Sequence, residues 1–244
     1  MAKKILVVVD AQNDFITGVL GNKECDVATN VIADEIRSGK YDDVIFTRDT
    51  HDENYLNTQE GKKLPVTHCI KGTNGWEVDA RLKDAMKERG VDCDYITYID
   101  KPTFGSKELG ELLAEYDNSD TEIYFCGFCT GICVISNVAI AKTFCKDAEV
   151  FVIENACACV TPESHKTAIY IHLIEEVLKA GKQVLYLLPE IALTTQITER
   201  LRRVFGKRLG VYHSKFPDAE RVEIWQKQLT EQGYDVILGV RSSV

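Results

Sequence analysis

The sequence predicts an α/β fold: a three-layer α/β/α arrangement around a parallel, Rossmann-like sheet, followed by a shorter α/β segment. Three observations predict it. Strand-like apolar runs alternate with helical spacings along most of the 244 residues. The first run, Lys4–Val9, is apolar and Val-rich without alternation, as in a strand covered on both faces. A shift in charge and cysteine usage near residue 167 then marks a seam. Residues 1–167 hold 18 Lys+Arg against 29 Asp+Glu and all nine cysteines, whereas 168–244 hold 11 against 9 and no cysteine.

In chain order, Val27–Arg37 has helical spacing, Asp43–Thr47 reads as a strand, and residues 51–75 form a long loop of the kind that usually carries function. Arg81–Arg89 reads as helix, Tyr95–Tyr98 as a short strand, Lys107–Glu115 as helix and Glu122–Cys126 as strand. Gly131–Phe144 is predicted helical and Glu149–Ile153 extended. Thr-Pro-Glu-Ser at 161–164 starts a helix over 163–180, with Gly181 as its C-cap. Gln183–Leu188 is a strand, followed by helix Thr194–Phe205, strand Leu209–His213, helix Asp218–Gln232 and strand Asp235–Val240. Repeated strand–helix units imply parallel strands with helices on both faces.

Composition excludes several classes. A net charge of −9 disfavours non-specific nucleic-acid binding. Apolar stretches such as Ile5–Val9 are too short to cross a bilayer, and no cleavable leader is evident, so a cytoplasmic location and no membrane partner are expected. Nine cysteines at irregular spacing do not make a disulfide framework. Cys126 and Cys129 have C-x-x-C spacing, but no second pair lies at zinc-ribbon distance, and no redox or metal role is expected of them.

Ligands of such sheets gather beyond the carboxyl ends of the strands, which singles out Asp10, Asp49, Lys101 and the turn 127–133. Cys133 follows a strand-to-helix turn whose N–H groups suit an anion. A helix N-terminus and a nearby cation both favour a thiolate, so it is a candidate nucleophile, with a buried structural thiol as the plain alternative. Asp10 is a candidate base for its proton, or a cap or surface charge. Lys101 is a candidate ion-pair partner, or a solvated lysine. Asp49, His51 and His68 form a two-His, one-carboxylate set suited to a divalent Zn, Fe or Mn ion.

Together these stretches resemble the isochorismatase-like hydrolase family, and its nicotinamidase branch: Val-Val-Asp10-Ala-Gln12-Asn-Asp14-Phe15, Thr47-Arg-Asp49-Thr-His51, His68-Cys-Ile-Lys-Gly72-Thr, Asp100-Lys101-Pro-Thr-Phe104-Gly-Ser and Gly127-Phe-Cys-Thr-Gly-Ile-Cys133-Val134. The resemblance spans about residues 3–167. It implies a catalytic triad of Asp10, Lys101 and Cys133, an oxyanion hole from the N–H groups of Cys129 and Cys133, and a cis peptide at Phe128–Cys129. It also implies a pocket residue at Phe15, a metal held by Asp49, His51 and His68, and hydrolysis of a small amide such as nicotinamide through a thioester. The metal set favours this branch over the carbamoyl-amide and isochorismate hydrolase branches, which generally lack it and stand as the alternative. Oligomers of the chain are implied too, since family members often form them. The sequence departs from the branch at Thr50, usually Trp, and at Asn54-Tyr55, near which a further His often falls.

Residues 168–244 resemble something else. Tyr170-Ile-His-Leu-Ile-Glu-Glu, Leu187-Leu-Pro-Glu190-Ile-Ala-Leu-Thr194, Tyr212-His-Ser214, Glu220-Arg221 and Gly239-Val-Arg-Ser-Ser-Val244 look like the first ATPase lobe of the primosomal replication-restart helicase. In that family a phosphate loop ending Gly-Lys-Thr precedes this stretch. Here Ser164-His165-Lys166-Thr167 has no glycine, so ATPase and helicase activity and functional nucleic-acid binding are not expected. The shared Lys166-Thr167 suggests a fusion point. The expected division is a hydrolase domain over 1–188, its last helix and strand supplied by the fused segment, and a truncated helicase-like segment over 189–244.

Overall fold

The computed structural model of the chain describes residues 3–188, 195–212, 217–230 and 233–240. The chain divides into two units, Met1–His165 and Lys166–Val244.

The first unit contains β1 (Lys3–Val9), α1 (Asn13–Ile16), α2 (Lys23–Arg37), β2 (Asp43–Asp49), α3 (Ala80–Glu88), β3 (Thr97–Lys101), α4 (Lys107–Ala114), β4 (Thr121–Phe128), α5 (Ile135–Phe144), β5 (Glu149–Ala158) and the start of α6 (Pro162–Lys179). Its five strands form one parallel sheet in the order β3-β2-β1-β4-β5. The central place of β1 explains its unbroken apolar run: Ile5 to Val9 are all fully buried. On α2, Cys25, Ala28, Ile32, Ala33 and Ile36 are buried at helical spacing, and the Asn22 side chain caps the helix by accepting from Cys25 N at 2.9 Å.

Several boundaries differ from the sequence expectation in ways that matter for the site. β2 runs on to Asp49, and β3 covers 97–101 rather than 95–98, because Asp49 and Lys101 are register partners while Tyr95 sits in a 3₁₀ turn, largely exposed. The helix expected from 131 opens instead as a π-turn, Thr130–Val134, in which Val134 N donates to Cys129 O at 3.1 Å. From β1 the chain steps to β2 and β3 on one side, then crosses to β4 and β5 on the other. The switch point therefore lies at the carboxyl ends of β1 and β4, where Asp10 and the 127–133 turn emerge.

The second unit holds the rest of α6, with β6 (Val184–Leu188), α7 (Thr195–Phe205), β7 (Leu209–Tyr212), α8 (Asp218–Gln228) and β8 (Val236–Val240). The expectation that strand 183–188 completes the first sheet, and with it the boundary at 188/189, is corrected here. β6 pairs in parallel with β8, from Val184↔Val236 to Leu188↔Val240, in a separate sheet of order β6-β8-β7. The physical reason is β8 itself. Its Val236, Leu238 and Val240 are fully buried, which requires a strand on each side and an apolar cover. Ile174, Ile197, Leu201 and Phe205 supply that cover. The described parts of 195–240 share a core with α6 and β6. The helicase-like stretches at 189–194, 213–216 and 241–244 lie outside the described residues. No helix among the described residues is long and apolar enough to cross a membrane.

Candidate active site

Asp10 follows β1 directly, in the left-handed region with φ 50°. Thr47 holds it from the next strand: Thr47 Oγ1 donates to Asp10 Oδ1 at 2.7 Å, and Asp10 N donates to Thr47 O at 3.1 Å. Lys101 reaches across from the end of β3, with Nζ at 2.6 Å from Asp10 Oδ2 and 3.5 Å from Asp49 Oδ1, and donates to Thr103 O at 3.2 Å. All three charged side chains are buried. An isolated charge there would cost several kcal/mol, so the ammonium between two carboxylates is what makes their burial tolerable.

Cys133 lies in the π-turn, 4% exposed, within hydrogen-bonding reach of Asp10. Asn137 fixes the turn, because its Nδ2 donates to Cys133 O at 2.8 Å and to Phe104 O at 3.1 Å while its Oδ1 accepts from Ser106 N. Gly127 is needed just upstream. Its φ is +112°, and a Cβ there would lie 2.0 Å from Val9 O, inside the backbone of β1. The Phe128–Cys129 peptide is cis, as the family resemblance implies.

The electrostatics differ from the sequence expectation in one respect. Burial pushes the Cys133 thiol well above its ordinary value and Asp10 pushes it further, with Lys101 opposing. Burial and Asp10 thus favour the neutral thiol, against the pull of the cation. Burial likewise raises the Asp10 carboxyl, against the pull of Lys101. Burial would lower Lys101, but Asp10, Cys133 and Asp49 outweigh it and hold the ammonium charged.

Beside this cluster stands a second. Asp49, His51, His68 and Glu60 each offer one ligand atom, and the four atoms lie within 4.8 Å of one another. His51 Nε2 is 3.1 Å and His68 Nε2 3.4 Å from Asp49 Oδ2, and Glu60 Oε1 is 3.9 Å from His51 Nε2. His68 Nδ1 bonds to Val66 O at 2.7 Å, which turns Nε2 toward the others, the outer hydrogen bond a metal-binding imidazole usually makes. Two imidazoles and two carboxylates, all converging and all but Glu60 buried, fit a divalent ion such as Zn, Fe or Mn. Burial pushes Asp49 up, but its hydrogen bonds to His51 and His68 and the Lys101 charge hold it far below the usual carboxylate range, ready to act as a ligand.

The structure thus brings together Asp10, Lys101 and Cys133 in one cluster and Asp49, His51 and His68 in the next, with Lys101 touching both. Phe15 packs edge-on against His68, ring centroids 5.6 Å apart. Residue-by-residue reading missed Glu60, Gln12, Asn137 and Thr47. Gln12 is fully buried and grips both sides of the Asp49 backbone: its Oε1 accepts from Asp49 N at 2.7 Å, and its Nε2 donates to Asp49 O at 2.9 Å and Trp76 O at 2.8 Å. A glutamine three residues past the end of a buried strand was the available signal for it. Glu60, in a polar loop, carries no such signal.

A model of the isochorismatase domain matches residues 4–171. Among solved structures, the nicotinamidase/pyrazinamidase PncA of Bacillus subtilis is 26% identical with a TM-score of 0.57, covering 69% of this chain and 93% of that one. The pyrazinamidase of Pyrococcus horikoshii in complex with zinc is 25% identical with a TM-score of 0.54, over 69% of this chain and 93% of that one. The replication restart protein PriA of Haemophilus influenzae is 42% identical over 81 residues, 33% of this chain, and the match spans only 11% of that protein's length. The chain therefore has the fold of the nicotinamidases over about two thirds of its length, a separate comparison matches 33% of the chain to PriA, and the chain belongs to the isochorismatase-domain family.

Proposed function

We propose that the chain is a cysteine-dependent amidohydrolase that cleaves a small amide such as nicotinamide to the acid and ammonia through a thioester. The observation that carries this is the buried Asp10–Lys101 pair at 2.6 Å with the Cys133 thiol against it, at the switch point of the sheet.

The resting state is a neutral thiol facing a carboxylate whose affinity for protons burial has raised. Attack on the amide carbon and proton transfer to Asp10 go together, so no free thiolate need accumulate. The N–H groups of Cys129 and Cys133 receive the developing oxyanion. Asp10 returns the proton to the leaving nitrogen, the C–N bond breaks and ammonia departs. A water then attacks the thioester, giving its proton to Asp10. The thiol reforms with that proton as the acid leaves. Lys101 keeps Asp10 oriented and offsets its charge when the carboxylate re-forms. Asp49, His51, His68 and Glu60 would hold a divalent ion, and Phe15 would line the pocket beside them. A bound ion supplies a Lewis-acid point to which a donor atom of the substrate, such as a ring nitrogen, can be fixed.

No nucleotide chemistry is proposed for the second unit. Ser164–Thr167, where the helicase resemblance would need a phosphate loop, lies within the first turns of α6, with Ser164 and Thr167 buried. Ammonia release from nicotinamide, lost in Cys133→Ala, tests the proposal; full activity in that variant would overturn it.

A further inference from the structure

Gly127 and Phe128 of β4 are register partners of Cys157 and Ala158 of β5, and Cys129 and Cys159 are the residues that follow this last pair. Thr130 Oγ1 donates to Ala158 O at 3.0 Å and holds the two segments together there.

The sulfur atoms meet as well. The Cys129 thiol hydrogen-bonds to the Cys159 sulfur, and the backbone N–H groups of Val160, Gly131 and Thr161 donate to that same sulfur. From the other side, Asn22 Nδ2 at 2.9 Å and Cys25 Sγ at 3.7 Å bond to the Cys159 carbonyl and fix the residue in place. A sulfur given one thiol donor and three amide donors is stabilised as an anion. The bond from Cys129 outweighs burial and brings Cys159 down to about 6. The same bond, with burial, pushes Cys129 well up. The other described thiols differ: burial pushes Cys25 and Cys157 up to about 12, and Cys126 well above its ordinary value. The C-x-x-C spacing of Cys126 and Cys129 is therefore not the pair, since Cys126 Sγ is turned within the sheet to Val7 O at 3.8 Å.

We propose that Cys129 and Cys159 are a modifiable thiol pair which a peroxide joins as an intramolecular disulfide, Cys159 being the sulfur that attacks the oxidant and Cys129 the one that resolves it. The Cys159 thiolate attacks a peroxide oxygen, the S–O bond forms, and the O–O bond breaks. Hydrogen peroxide is reduced by two electrons to hydroxide, which is protonated to water, and the sulfur is oxidised to a sulfenic acid. Cys129 then attacks that sulfur. The S–S bond forms, the S–O bond breaks, and the departing hydroxide takes the Cys129 proton as a second water. Two thiols and one peroxide thus yield one disulfide and two waters. Both residues are nearly enclosed, at 3% and 2% exposure, which restricts the oxidant to one of water-like size and excludes a bulky disulfide donor. The proposal stands on thiol geometry and holds whether or not the chain hydrolyses amides.

The test uses the reduced full-length chain treated with stepwise hydrogen peroxide, alkylated after denaturation, digested with trypsin and sequenced by mass spectrometry. Cys126, Cys129 and Cys133 share one tryptic peptide, and Cys157 and Cys159 share another, so fragmentation assigns the link. The expected product joins the two peptides through Cys129 and Cys159, is lighter by two hydrogens and is separated again by dithiothreitol. Cys157→Ser keeps the link and Cys159→Ser loses it. A link through Cys126, Cys133 or Cys157, or oxidation of Cys133 while Cys129 and Cys159 are recovered as alkylated thiols, overturns the proposal. So does the absence of any link.

Discussion

Replacing Lys101 by Met removes its charge and keeps an unbranched side chain one atom shorter. At an effective dielectric of about 20, the ammonium is worth about 6 kcal/mol to Asp10 at 2.6 Å and about 5 kcal/mol to Asp49 at 3.5 Å before desolvation is counted. Desolvating three charged groups cancels most of that, and truncating one member of a buried ionic set typically costs about 3–5 kcal/mol net. Lys101→Met is therefore expected to lose about that much stability in urea at pH 7. Its effect on catalysis has a direction fixed by Asp10. Burial already raises that carboxyl, and Lys101 is the chief influence holding it down. Without Lys101 it rises further, so less base is ionised at neutral pH, and the acid limb of the kcat/KM profile moves to higher pH. A loss of about 10²–10⁴-fold in kcat/KM at pH 7 is expected, measured as ammonia release from nicotinamide with urea denaturation in parallel. A variant that retains activity within twofold, with an unmoved acid limb, would refute the role given to the ion pair.

Three further outcomes follow from particular contacts. Glu60→Ala removes one of four converging ligand atoms and is expected to weaken Zn retention about 10–100-fold, read as Zn content after dialysis against a graded chelator; unchanged retention would leave only Asp49, His51 and His68 as ligands. Asp79 caps α3 by accepting from Arg81 N at 2.9 Å, and although burial pushes its carboxyl up, the Arg81 hydrogen bonds outweigh this and hold it low. A depressed folded-state carboxyl stabilises above its unfolded value, near pH 4, and the benefit is lost as pH falls through the folded one. Asp79→Asn keeps a cap acceptor but loses the ion pair with Arg81, and should therefore cost about 0.5–1 kcal/mol at pH 7 by urea titration, a cost that shrinks as the pH falls below 4. Leu238→Ala empties the centre of the second sheet, where Leu238 is fully buried, and should cost that unit about 2–5 kcal/mol. Hydrogen exchange would then rise in β6, β7 and β8 and stay unchanged in β1 and β4; equal loss in both sheets would contradict two separate cores.

Much of the first unit was legible because its physics is local. The Ile5–Val9 run announces a doubly covered strand, and polar residues after strands announce the sheet end, so Asp10, Asp49, Lys101 and Cys133 could be picked before any coordinates. Contacts between loops were not legible. Glu60 joins His51 and His68 only because the 51–75 segment folds back on itself, and Gln12 matters through backbone atoms of Asp49 that no side-chain pattern displays. The protonation of Cys133 also depended on burial, which a turn sequence does not reveal. Strand 183–188 was misplaced for a related reason. An apolar strand after a helix suits either sheet, and the choice rests on β8, some fifty residues later in the chain, whose buried residues pair with it.

The most direct test of covalent catalysis is acid quench of the chain during turnover of nicotinamide, followed by mass spectrometry of the peptide that carries Cys133. A nicotinoyl group in thioester linkage on Cys133, removed by hydroxylamine and absent in Cys133→Ala, is the expected result. Ammonia release continuing in Cys133→Ala, with no acyl group on any residue of the wild-type chain, would contradict it.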